Sequence, residues 1–546
     1  MKYYDFVEKT TKDLVHIESI VRQGNETNAA KYVYDFWKSL PYFQENPDDL
    51  ILQKTQRDEV DRHSTICLIQ GKGNSKRTMV LLGHIDTVGV DDYLERGLSP
   101  FDPDLLEEEL KDISLPKEVK EDLDSGEYLF GRGALDMKSG VAGHMAIGKY
   151  FTEHLDELNG NLVLLAECDE EDGSRGVITA LSQLVEWKEK YDLEFVGAIN
   201  ADYSTPYYPK DPNRYLYLGT IGKLLPTFYV TGSEAHVGQA FAGFDPNLLL
   251  AEITRMIDLN TDLSDTAQGE TTIPPMSLRA RDTKEGYTVQ TALRAYGYYN
   301  FFTHGMSPED VMEKMVYLAE DAFDKTIEYL NQQYKIHCEK TGFHHEELPW
   351  KRRVYSWEEY QQYLTKIHPT FPEEIQNFGK ELHKKDPQLD MRDFAIMVME
   401  EAFTTYDNDK SPLVLVSFTS VYSQNIELTG EDPNEKRLIE SVRSGAETFN
   451  DAFGPIEVKY FYPYISDSSF LYYPKDGKGM DALAKNMPSW EVKYHHPLEE
   501  VKNISMPVVN IGTYGLDGHR WTERVHKRFT FEGIPLIAEH VIREML

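Results

Sequence analysis

The strongest constraint on this chain is a set of short apolar runs that each end on a histidine or a carboxylate. TMVLLGHIDTV closes on His84 and Asp86, LVLLAECDEEDGSRG on Glu170 and Glu171, and VGAINADYSTP on Asp202. Short apolar runs bounded by polar turns suit strands buried on both faces, and helical spacing between them predicts a parallel or mixed sheet covered by helices. In such sheets functional groups gather at the carboxyl ends of the strands, where these residues fall. Asp136 in GRGALDMKSG and His519 in GLDGHRWTERV complete the series. Two imidazoles and three carboxylates can hold a pair of divalent ions, which leaves one glutamate free as a base.

Helical patterns near 3–20 and 27–40 precede the strand candidates HSTICLIQG and TMVLLGHID. VAGHMAIGKYFTEHL and SRGVITALSQLVEW predict helices that alternate with the strands NLVLLAEC and EFVGAINAD. The character changes at about residue 223, where KLLPTFYVTG, DPNLLLAEITRMIDL, YTVQTALRAYGYYNFF and SPEDVMEKMVYLAEDAFDKTIEYL alternate strand and helix. A charged, aromatic, mainly helical insertion follows near 337–411, then the strand PLVLVSFTS and a long helix after GEDP. The fold class expected is α/β: a catalytic domain of residues 1–222 and 428–546, its mainly parallel mixed sheet sandwiched by helices, with an inserted α+β lid domain of residues 223–427.

At 546 residues, 40% of them hydrophobic, the chain exceeds one core and does not read as disordered. Its net charge of −35 argues against nucleic acid and anionic membrane surfaces as partners. Only three cysteines occur, Cys67, Cys168 and Cys338, too few for a disulfide framework. The start MKYYDFVEKTTKDLVHIESIV lacks a signal-peptide apolar block, and no stretch is long enough to span a bilayer. A cytoplasmic protein acting on a small molecule is expected.

Taken singly, each site residue has a plainer reading. A histidine at a strand end is often structural, Asp136 could be a turn residue, and Glu170 and Glu171 with Asp169 and Asp172 could be a solvated acidic loop. Taken in order with their glycines and strands, they form a metal site.

The motifs GHIDTV, GRGALDMKSG and DEEDGSRG together resemble the M20 family of co-catalytic zinc peptidases and deacylases, within it the arginine-utilisation proteins of Gram-positive bacteria. The resemblance implies a zinc-aminopeptidase-like catalytic fold. It implies that His84 and Asp202 hold one metal, Glu171 and His519 the other, and Asp136 bridges them. It makes Glu170 the general base and assigns Asp86 to orienting His84, since a carboxylate on the far ring nitrogen sets the tautomer of a ligating histidine. Two divalent ions are implied as cofactors, zinc first, with cobalt or manganese as alternatives. It further implies a cis peptide bond after Asp136.

In GSEAHVGQAFAGFDPN, His236 matches the family's lid histidine, an oxyanion donor that dimeric relatives take from the neighbouring subunit. The resemblance leaves open both a homodimer through the lid domain and a donor in cis. Two departures stand out. The usual Pro-Thr turn after the third ligand strand is replaced by Tyr203 and Ser204, and the lid arginine that grips a substrate carboxylate is replaced by Asn300, which is neutral. His495 and His496 compete with His519, which is preferred because GHRWTERV matches the family's closing segment with Glu523 near the expected distance. HHEE at 344–347 lacks the helical two-histidine spacing of a zinc helix and is assigned to the surface.

The expected activity is metal-dependent hydrolysis of an amide bond in an N-acyl amino acid or short peptide, in arginine or ornithine catabolism if the whole-chain resemblance holds. A dipeptidase or aminopeptidase with the same centre is the first alternative. A metal-retaining protein without activity is the second, disfavoured by the intact Glu170.

Overall fold

In the computed structural model the run Asn161–Glu167, apolar from Leu162 to Ala166, is a strand buried along its whole length, third in an eight-stranded sheet. The sheet order is Leu50–Lys54, His63–Gln70, Asn161–Glu167, Arg77–His84, Glu194–Asn200, Val508–Asn510, Arg214–Tyr217 and Ile456–Lys459. Arg77–His84 lies parallel to both of its neighbours, and Val508–Asn510 is parallel to Glu194–Asn200. The first two strands pair antiparallel, which makes the sheet mixed. Helices Glu26–Ser39, Ser139–Glu153, Arg175–Tyr191, Pro433–Phe453 and Ile534–Met545 pack against it, as expected for strands buried on both faces. Residues 1–73, 75–474, 477 and 479–546 are described.

Register decides what meets at the carboxyl end of this sheet. His84 pairs with Glu167 on one side, and Leu82 with Asn200 on the other. The segments that follow, carrying Glu170, Glu171 and Asp202, therefore leave the sheet at the same edge as His84.

The chain divides into two compact units, residues 1–221 with 423–473 and 497–546, and residues 222–422 with 474–496. The second is built on a sheet ordered Met276–Asp282, Arg294–Thr303, Pro226–Thr231, Leu413–Phe418 and Val354–Ser356. Its insertion is helical over Trp357–Ile367, Phe371–Lys385 and Met391–Glu401, and its short strand Val354–Ser356 pairs parallel with Leu413–Phe418. The helix that opens with SPEDVM runs much further than its pattern indicated, from Pro308 to Thr341.

The sequence reading assigned 428–546 to the first domain without a break, and that is corrected at 474–496. Met487 is 2% exposed, and Val492 packs against the aromatic cluster of Trp357, Tyr360 and Phe394. Asn486 accepts the Phe418 N–H through its main-chain oxygen at 2.9 Å and the Glu358 N–H through Oδ1 at 2.9 Å. These apolar and polar anchors hold the segment in the second unit. Among the described residues no helix is long and apolar enough to cross a membrane.

Candidate metal centre

His84 is the last residue of its strand and is buried. Gly83 before it has no room for a side chain, because a Cβ there would lie 2.9 Å from both Met137 Cε and Val141 Cγ2. This close approach brings Asp136 to the strand end. His84 Nε2 lies 2.9 Å from Asp136 Oδ1, while Nδ1 lies 3.2 Å from the Asp86 main-chain oxygen and 3.5 Å from its Oδ1. A proton on Nδ1 facing Asp86 leaves the Nε2 lone pair directed at the cluster.

Asp86, fully buried, has a second task. Its two carboxylate oxygens accept the N–H groups of Glu170 at 3.3 Å and Glu171 at 3.1 Å. One residue thus orients the histidine, chiefly through its main-chain oxygen, and pins with its side chain the loop that carries both glutamates.

Asp136 joins the next residue through a cis peptide bond. Its Oδ2 lies 2.9 Å from His519 Nε2, and that nitrogen lies 3.1 Å from Glu171 Oε1. The main chain there is held by Glu523, whose Oε1 accepts the N–H of Leu135 at 3.1 Å and of Asp136 at 3.3 Å while Oε2 takes a bond from Arg132 at 2.5 Å. His519 sits in the left-handed region at φ 65°, with its ring partly exposed. Asp202 is clasped by Asn510, which accepts its N–H at 3.1 Å and donates to its carbonyl at 2.8 Å.

Ligand atoms within 4.8 Å of one another group His84 with Asp136 and Asp202, Asp136 with Glu171 and His519, and His84 with Glu170 and Glu171. Asp136 is common to the first two groups. The electrostatics match a set assembled for cations. Burial, with the nearby Asp136 carboxylate, pushes Asp202 up to about 7, and burial with neighbouring acids raises Glu170 and Glu171. Bonds to Asp136 and Glu171 push His519 up to about 10. Buried carboxylates that crowd one another are relieved by divalent cations, and nitrogen with oxygen donors suits zinc, so the residues present fit two such ions.

The acidic loop is not a solvated run. Asp169 is fully buried between Arg62 and Arg175, and Asp172 bonds Arg22 and, at 2.9 Å, Arg175. Arg62, itself 1% exposed, also binds Asp58. Sequence reasoning missed Arg62 and Asn510, and no local pattern marks either. Arg132 and Arg175 stand inside the quoted motifs but had been given no role.

His236 and Asn300 belong to the second unit. His236 is exposed, and its Nδ1 accepts the Gly238 N–H at 3.1 Å, which leaves the proton of the neutral ring on Nε2. Asn300 is half-buried in the strand Arg294–Thr303, opposite Met276. His495 and His496 also lie in the second unit, His495 beside Glu491 and His496 stacked on Trp490. HHEE lies in a mostly exposed loop. None of these enters a potential ligand group among the described residues.

The family model described as Peptidase family M20/M25/M40 matches residues 80–452. Protein RocB of Bacillus subtilis is 33% identical over 99% of this chain and 95% of its own length. A succinyl-diaminopimelate desuccinylase of Psychrobacter arcticus is 24% identical over 50% of this chain and 59% of its own length. Among solved structures, aminopeptidase PepT from Bacillus cereus superposes with a TM-score of 0.53 at 11% identity, covering all of both chains. Both the family model and a full-length relative above 30% identity therefore place this chain in peptidase family M20.

Proposed function

We propose that the chain hydrolyses an amide bond in a small N-acyl amino acid or short peptide at a two-metal centre. The observation that carries this reading is the sharing of Asp136 between two ligand groups, with Glu170 beside them as a glutamate that neither needs. His84, Asp136 and Asp202 would hold one divalent cation and Asp136, Glu171 and His519 the other, zinc first and cobalt or manganese as alternatives. Bound there, the cations supply Lewis-acid polarisation of the scissile carbonyl and of water. Glu170 takes the proton of the attacking water and passes it to the leaving nitrogen, a task for which a carboxylate raised by burial is suited near neutral pH. Asp86 fixes the imidazole of His84 and the main chain of Glu170 and Glu171.

His236, with its proton on Nε2, is assigned as a donor to the developing oxyanion, and Asn300 as a neutral contact for the substrate. A homodimer through the second unit belongs to the same reading. Its edge strand Met276–Asp282 is unpaired on one side among the described residues and exposes Met276 and Leu278, a surface that invites strand pairing. Sedimentation equilibrium tests it, and a strictly monomeric chain would end it. Three unpaired cysteines support a cytoplasmic setting, and identity to RocB along the whole chain supports a substrate tied to arginine or ornithine.

The central test is Glu170→Gln, assayed with acylated basic amino acids and free-amine dipeptides. The variant keeps two metals per chain and loses turnover by about 10²- to 10⁴-fold. Unchanged rates would remove Glu170 as the base, and turnover of dipeptides alone would favour the dipeptidase reading.

A further inference from the structure

Tyr203 stands where the family pattern has a proline, and its surroundings hold it more tightly than a turn residue requires. Its N–H bonds Asp202 Oδ1 at 2.8 Å, and its carbonyl accepts the Tyr462 hydroxyl at 2.9 Å. Its ring stacks on that of Tyr464, with centroids 5.3 Å apart and planes at 22°. Its phenol end rests on Gly518, where a Cβ would meet Tyr203 Cζ at 3.0 Å and the hydroxyl oxygen at 3.1 Å. A larger residue at 518 would push the ring by a few tenths of an ångström.

Gly518 immediately precedes His519. The residue therefore follows a donor of one ligand group, Asp202, and its ring ends against the main chain that leads into a donor of the other, His519. Its hydroxyl is the one part left unengaged: among the described residues the bonds to Tyr203 are to its main chain. A packed phenol whose O–H has no partner among the described residues has the geometry of a preorganised donor.

Resting on the hydrolase reading above, we propose that Tyr203 is a catalytic residue which donates its phenolic hydrogen to the substrate's carbonyl oxygen as that oxygen becomes the tetrahedral oxyanion. An amide attacked by the water that Glu170 deprotonates would develop its oxyanion over the ligand cluster, and Tyr203 lies beside Asp202, a member of that cluster. A phenol remains a donor up to about pH 10. Tyr203 also belongs to the same unit as all the ligands, whereas His236 belongs to the other, so this donor is in place without help from the second unit or a second chain.

The test is Tyr203→Phe in the full, metal-loaded chain, which keeps the ring stack and deletes one oxygen. Turnover falls by about 10²-fold with KM little changed, as for the loss of one oxyanion donor. By calorimetry, affinity for a phosphinate analogue of the substrate falls by a similar factor, while affinity for the product amino acid and a metal content of two per chain are kept. A kcat within threefold of the parent overturns the proposal. So does a rise in KM alone, which would make Tyr203 a ground-state contact, and so does loss of metal, which would make it structural. A parent chain that cleaves neither acyl amino acids nor dipeptides and binds no phosphinate defeats the hydrolase reading itself, and this proposal falls with it.

Discussion

Replacing His144 with leucine tests how the core beneath the ligand-bearing segments responds to acid. His144 lies on the buried face of the helix Ser139–Glu153, 5% exposed, among Val33, Trp37, Leu81 and Leu164. Its Nε2 has no hydrogen-bond partner among the described residues. Burial alone pushes its pKa down to about 3. An unfolded histidine titrates near 6.5, so between those values the unfolded chain holds a proton that the native chain refuses. Native stability is therefore full above about pH 6.5 and falls as the pH drops, by about 1.4 kcal/mol per unit. From pH 7.5 to 5.0 the loss is about 2 kcal/mol, and by pH 3 it reaches about 4 kcal/mol. His144→Leu removes this contribution and leaves every other titrating group in place. The stability difference between variant and parent should thus grow by about 2 kcal/mol between pH 7.5 and 5.0. Because the two units need not unfold together, urea unfolding is read by pulsed hydrogen exchange in peptides covering Ser139–Glu153. Parallel pH profiles for the two proteins would refute the argument.

Further outcomes concern the centre and its support. Zinc at a hundred times its dissociation constant should stabilise the first unit by about 2.7 kcal/mol, reversed by a chelator. Asp136→Asn should blunt that shift for both ions because both groups share the residue, and a midpoint indifferent to metal would sink the two-metal reading. Glu523→Gln leaves Arg132 buried without its 2.5 Å partner and should cost the first unit about 3 kcal/mol, measured by the same exchange method. A loss below about 1 kcal/mol would show that the pair contributes little beyond its bonds to the Asp136 main chain.

The sequence by itself determined four strands of the central sheet, His63–Gln70, Arg77–His84, Asn161–Glu167 and Glu194–Asn200, and the candidates for its site. Asn161–Glu167 and Arg77–His84 are legible because an unbroken apolar run bounded by polar turns has one stable place, between two helical layers. His84, Asp136, Glu170, Glu171, Asp202 and His519 are legible because each ends such a run or stands in a glycine-bounded motif. The edge strand Met276–Asp282 was not, although MSLRARD alternates apolar and polar residues, because the alternation is inverted at this edge, with Met276 and Leu278 exposed and Ser277 and Arg279 half-buried.

Only the tertiary structure decided which distant surfaces meet. Arg62 reaches Asp169 across 107 residues, and Asn510 clasps Asp202 across 308, with nothing local to announce either. The same holds for residues 474–496, whose buried Met487 and half-buried Val492 lie with Trp357 of the second unit. It holds again for Tyr203, whose ring packs against a glycine 315 positions away. Periodicity encodes how deeply a residue is buried, whereas pairing depends on the shape and charge of surfaces that exist only once the chain has folded.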